Sequence, residues 1–155
     1  MNTSVVHSCS STTEGNRTMQ FEAQTTIHAS AGTVFALYAD VANWPSWDPD
    51  VKSASVQGPF VSGAVGEVKP HGGPKSVLHF VQVVDNKSVR MECKLPLGKM
   101  QFDYELQSLG GATQVTHRTT FSGLLAPLWS RLIGASMKKT LPAALAGLKH
   151  RAESV

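Results

Sequence analysis

The stretch Asp40-Val41-Ala42-Asn43-Trp44-Pro45-Ser46-Trp47-Asp48-Pro49 sets two of the chain's three tryptophans three residues apart, in a segment whose prolines deny it a regular helix. An indole offers a large apolar surface and an N–H that needs a partner, so this turn reads as a plug buried at the edge of a core. On its N-terminal side, Ser30 is a plausible N-cap for a short helix carrying Val34, Phe35, Leu37 and Tyr38. Before that, Met19, Phe21, Ala23, Thr25 and Ile27 alternate with polar residues, the period of a strand with one buried face.

On the C-terminal side, Val51–Val56 and Gly63–Val68 read as weak strands, and the punctuation then falls at hairpin spacing. Gly72-Gly73-Pro74, Asp85-Asn86, Pro96-Leu97-Gly98 and Gly110-Gly111 separate strand-length runs. In three of these runs one parity is apolar: Val89, Met91, Cys93, Leu95; Met100, Phe102, Tyr104, Leu106; and Val115, His117, Thr119, Phe121. The run around His79 is apolar at both parities and leaves that histidine's face open. A one-sided antiparallel sheet needs a cover. Leu124, Leu125, Leu128, Trp129, Leu132, Ile133, Met137, Leu141, Leu145 and Leu148 recur at helical spacing and supply it, with Pro142 predicting a kink or restart. The pattern is α+β: one strand, two short helices, six strands and a long helix.

Length and composition agree with one domain. The chain has 155 residues, 41% of them hydrophobic, and a net charge of +3. Arg131, Lys138, Lys139, Lys149 and Arg151 concentrate the basic charge toward the C-terminus, and no basic stripe interleaved with aromatics precedes them, so no nucleic-acid partner is expected. The basic helix end complements the helix dipole, and membrane contact is expected to be at most transient. Two cysteines, Cys9 and Cys93, write no disulfide framework or zinc motif. Residues 1–18 are rich in Ser, Thr and Asn, with no apolar block longer than Val5-Val6. They read as a disordered polar leader, unlike a signal peptide, to a folded unit spanning 19–155. A cytoplasmic protein, monomeric or weakly dimeric, is the expectation.

The tryptophan turn after a short helix, followed by hairpins and a long apolar helix, resembles the START-like (SRPBCC) superfamily and its polyketide cyclase/dehydrase family, over roughly Met19–Glu153. The resemblance implies a helix-grip fold: a curved seven-stranded antiparallel sheet around the C-terminal helix, with a ligand cavity between them. The expected lining is Trp44, Trp47, Met91, Cys93, Met100, Phe102, Thr119, Phe121, Trp129, Ile133 and Met137, and the partner a hydrophobic small molecule.

Two functions fit such a pocket. One is binding or transport of a lipid-, sterol- or polyketide-like molecule; the other is a cyclase/aromatase in which His117 as base and Tyr104 as proton donor assist ring closure and dehydration. Arg90 and Arg118 fall on the outward parity, which leaves no inward cation to stabilise an enolate and favours binding. Cys93 reads as a small buried hydrophobe. No metal or cofactor is expected: His71, His79 and His117 lack the short spacing of metal ligands, and no dinucleotide fingerprint, P-loop or nucleophile elbow occurs. Ser136-Met137-Lys138-Lys139 matches a Ser-x-x-Lys nucleophile pattern without its companion motifs.

Overall fold

The computed structural model describes residues 4–6 and 18–154. Strand β1 (Ser4–Val6) is followed by β2 (Met19–Ile27), helix α1 (Ala31–Ala39), a 3₁₀ turn (Val41–Ser46), β3 (Val51–Val56), β4 (Val65–Pro70), β5 (Ser76–Val84), β6 (Ser88–Leu95), β7 (Gly98–Leu109), β8 (Ala112–Ser122) and helix α2 (Ala126–Glu153). The strands form one antiparallel sheet in the order β1-β2-β8-β7-β6-β5-β4-β3. The seven strands from β2 onward, the two short helical elements and the long closing helix constitute the helix-grip arrangement. Part of the leader is strand: Ser4–Val6 pairs with Glu22–Gln24 at the sheet edge. The remainder of the expected disordered leader lies outside the described residues.

Register shifts between Val51 and Ser53 and between Phe80 and Gln82 insert bulges that bend the sheet. His79, ahead of the second shift, is settled by its neighbours. Leu78 and Phe80 are buried on the inner face, so the histidine points outward, opposite Glu92.

Side-chain alternation in the central strands is as the pattern predicts. Ala23, Thr25, Ile27, Met91, Cys93, Met100, Tyr104, Leu106, Val115, His117, Thr119 and Phe121 are all buried. The outer face carries ion pairs. Arg90 reaches Asp103 at 2.7 Å, and Arg118 reaches Glu22 at 2.8 Å and Glu105 at 2.9 Å, so both arginines lie outside as expected.

Helix α2 covers the sheet through Met137, Leu141, Ala144, Leu145 and Leu148, and runs through Pro142 without interruption rather than restarting there. Two glycines set how closely it lies. A Cβ on Gly134 would stand 2.5 Å from the Phe21 ring, and one on Gly147 only 1.9 Å from the Trp47 carbonyl oxygen. Gly147 is therefore where the long helix rests on the tryptophan turn. One part of the cover expectation is corrected: Leu124, Leu128 and Leu132 are 80%, 46% and 64% exposed. Leu124 precedes α2, and the apolar arc at this end of the helix is wider than the sheet covers, with Leu128 and Leu132 at its outer margin.

Candidate functional site

The inner face is organised by strand register into three rows. Val89, Tyr104, His117 and Ala23 lie opposite one another across β6, β7, β8 and β2; Met91, Phe102, Thr119 and Phe21 form the next row; Cys93, Met100, Phe121 and Met19 the third. Period-2 alternation points each of these side chains toward α2.

At the first row the interior is aromatic. Tyr104 stacks on the His117 imidazole with ring centroids 3.8 Å apart and planes 13° from parallel. Tyr38, from the last turn of α1, packs against Tyr104 at 5.0 Å, and its hydroxyl shares a 2.8 Å hydrogen bond with His117 Nε2. Trp47 closes the group, 5.9 Å from Tyr38 and 6.3 Å from His117. Trp44 sits behind it. Its indole N–H donates to the Tyr38 carbonyl at 2.9 Å and its ring packs edge-on against Phe80, so it fastens the turn and stands back from the histidine.

Three buried polar atoms of this region have no hydrogen-bond partner among the described residues: Trp47 Nε1, His117 Nδ1 and Thr119 Oγ1. His117 and Thr119 are successive inward residues of β8, 1% and 0% exposed. Leaving such a group unpaired costs about 1–3 kcal/mol.

The environment fixes the charge states. Burial lowers the His117 pKa to about 3, so the imidazole is neutral at physiological pH. Burial, reinforced by the nearby Asp48 carboxylate and Cys93, pushes the Tyr104 hydroxyl far above its usual range; burial and Tyr104 do the same to Tyr38. Burial raises the Cys93 thiol to about 11, which suits a packed hydrophobe rather than a nucleophile. Asp48, directly after the tryptophan turn, is the exception: burial and Asp50 raise its carboxyl to about 6 against the Asp50 backbone N–H, which donates to it at 3.0 Å.

Of the residues named from sequence, Trp47 and Tyr104 each pack against His117. Met91 and Thr119 flank Phe102 in the second row, and Phe121 packs edge-on against Phe21 at 6.1 Å. Phe102 points inward yet is only half-buried, as are Trp129 and Ile133 on α2, while Met91, Cys93, Met100, Thr119, Phe121 and Met137 are buried. Phe102 is thus an inward ring of the second row that solvent partly reaches. Trp129 is farther out, donating its indole N–H to the Pro96 carbonyl at the β6–β7 turn.

Tyr38 and Asp48 are the members that sequence reasoning missed. Asp48 stood within the decisive stretch, and its place beside a buried indole was the available signal. A groove of about 270 Å³ opens among outward residues of the sheet, Glu22, Gln24, Glu105, Gln107, Gln114, Thr116 and Arg118, with Leu106 also at its wall. Among the described residues, no cluster of three or more His, Cys, Asp or Glu side chains is placed to hold a metal ion.

A sheet curled around a long helix, with an aromatic and partly polar inner face, defines the helix-grip class. This chain belongs to the polyketide cyclase / dehydrase and lipid transport family, whose model matches residues 18–153. No curated protein matches the sequence. Among solved structures, the ZhuI aromatase/cyclase from Streptomyces sp. R1128 superposes with a TM-score of 0.72 at 15% identity, covering 88% of this chain and 94% of that one. A point mutant of Thalictrum flavum norcoclaurine synthase, in complex with a transition-state analogue, gives 0.68 at 13% identity, covering 90% and 97%. Ara h 8.0201 gives 0.68 at 14%, covering 89% and 99%. At these identities the likeness is one of fold.

Proposed function

We propose that this protein binds a hydrophobic small molecule bearing a hydroxyl or carbonyl group, held between α2 and the inner face of β6–β8. The observation that carries the reading is the pair His117 Nδ1 and Thr119 Oγ1, on successive inward residues of β8, buried and without a partner among the described residues on a mostly apolar face. A ligand oxygen placed there offsets their desolvation. With Nε2 engaged by Tyr38, the tautomer decides what His117 offers: Nδ1 as donor to a carbonyl, or as acceptor from a hydroxyl. A histidine held neutral orients a ligand and exchanges no proton near pH 7. Family membership supports a small-molecule partner. Met91, Cys93, Met100, Phe102, Phe121, Ile133 and Met137 would supply the apolar wall and Trp129 its rim.

A second reading, acid/base-assisted cyclisation and dehydration, draws support from Asp48. Its pKa of about 6 is the one in this cluster near the operating range of a proton shuttle. In that reading Asp48 takes the part assigned to His117 from sequence.

The test is a titration of fluorescent fatty acids, sterol analogues and polycyclic aromatics into the full chain, with native mass spectrometry for a copurifying molecule. Saturable binding, abolished by Phe102→Asp without unfolding and largely kept by His117→Gln, is the expected result. Absence of any bound or copurified molecule would overturn the reading. Turnover of a poly-β-keto substrate that Asp48→Asn slows at least ~10²-fold would establish the second one.

A further inference from the structure

The β6–β7 turn and the first half of α2 together present an apolar surface that packing leaves uncovered. Leu97, at the hairpin tip, is 65% exposed, and Leu124, Leu128 and Leu132 are 80%, 46% and 64% exposed. The two regions adjoin, since the Leu125 backbone N–H donates to the Leu97 carbonyl at 3.1 Å and Trp129 bonds Pro96. Leu128 and Leu132 are one helical turn apart and so share a face. Leu97 holds a left-handed backbone conformation at φ 51°, which a branched side chain tolerates poorly and which glycine or asparagine would accept more easily. A strained leucine whose side chain stands in water adds nothing to the core.

Charge says what this surface faces. Arg131 follows Leu128 by three residues and Lys139 follows Leu132 by seven, so both share the leucine face, and both are exposed. Lys138 adjoins them, and α2 carries no acidic residue before Glu153. Two copies meeting through this face would oppose cation to cation. An anionic lipid surface satisfies both features, taking the leucines below its headgroups and the cations at them.

We propose that this end of the molecule is a docking surface for anionic lipid bilayers: Leu97, Leu124, Leu128 and Leu132 insert, and Arg131, Lys138 and Lys139 contact the headgroups. Trp129 and Ile133 sit next to these leucines in the helix and are half-buried. That a ligand is exchanged with the bilayer at this end rests on the function proposed above; the docking itself does not.

Cosedimentation of the full chain with phosphatidylcholine vesicles, with and without 30 mol % phosphatidylserine, tests it at low and high salt. Binding is expected only with the anionic lipid and is expected to weaken with salt. Leu128→Ser with Leu132→Ser should lower partitioning at least ~10-fold, as should Arg131→Glu with Lys139→Glu. These positions are exposed, so an unchanged melting temperature confirms that each variant is folded, and ligand titration on the same variants separates docking from pocket binding. No sedimentation of the wild type with anionic vesicles would overturn the proposal. So would vesicle binding that both variants retain, or a concentration-dependent dimer that the leucine variant abolishes while vesicle binding stays absent.

Discussion

His117 and Asp48 bias stability in opposite directions as pH falls, and removing either should expose the other. The histidine is neutral when folded down to about pH 3 but takes a proton near pH 6.5 when unfolded. Between those values the unfolded chain binds the extra proton, so stability is fully present above about pH 6.5 and declines on acidification by up to ~1.4 kcal/mol per pH unit. Asp48 runs the other way. Its folded carboxyl protonates at about 6 and its unfolded one near 3.8, so the folded chain binds the extra proton between them and gains stability as pH falls through 6. From pH 7 to pH 4 the histidine costs about 3 kcal/mol and the aspartate returns a little over ~2 kcal/mol. The two largely offset each other. His117→Gln should therefore become relatively more stable at pH 4 than wild type by about 2–3 kcal/mol, each referred to its own stability at pH 7, and Asp48→Asn relatively less stable by a similar amount. Guanidinium unfolding of the three proteins at both pH values measures this directly, because every other titrating group cancels in the comparison. If His117→Gln shifts with pH as wild type does, the imidazole is not held neutral by burial, and the view of it as a fixed hydrogen-bonding group fails.

Thr119→Val replaces an unpartnered hydroxyl with a methyl of similar size, so thermal unfolding without ligand should show a stabilisation of up to ~1 kcal/mol, while affinity for a polar-headed ligand falls; a clear loss of stability would mean the hydroxyl already has a partner. Gly147→Val drives a side chain into the Trp47 carbonyl and should cost at least ~2 kcal/mol in chemical denaturation, whereas the same change at Gly111, in the exposed β7–β8 turn with open space around it, should cost less.

The rows of the inner face were legible because β6, β7 and β8 each have one wet side, and strict alternation through Met91, Tyr104 and His117 survives without a bulge. What was not legible depends on distance in three dimensions. Tyr38 meets His117 across 79 residues of chain, and nothing local in a short helix marks its hydroxyl as the histidine's partner. Asp48 looks like any acidic turn residue until the tryptophan beside it is seen to be buried. The leucines at the start of α2 show a different limit: helical period reports which residues share a face, not how wide an arc the sheet covers or where the helix begins, so Leu128, Leu132 and the preceding Leu124 read as core. Ser4–Val6 was missed because three residues are too short to show a period.

The same physics separates what the sheet can do from what the turn can do. Burial holds His117 unprotonated and Tyr38 and Tyr104 protonated across the physiological range, so the first row offers fixed donors and acceptors and no exchangeable proton. A ligand bound there, as proposed, would meet oriented hydrogen bonds that need no reorganisation, which would give selectivity for an oxygen at one position on an apolar body. Proton exchange within this cluster is confined to Asp48, which belongs to the segment between the tryptophan turn and β3 and not to a strand. Binding therefore draws on side chains fixed by strand register, whereas any catalysis would depend on how the segment after Trp47 is held, and that segment is held by α2 at Gly147. A change that loosens the Gly147 contact should then disturb the Asp48 titration before it disturbs the Tyr104–His117 stack.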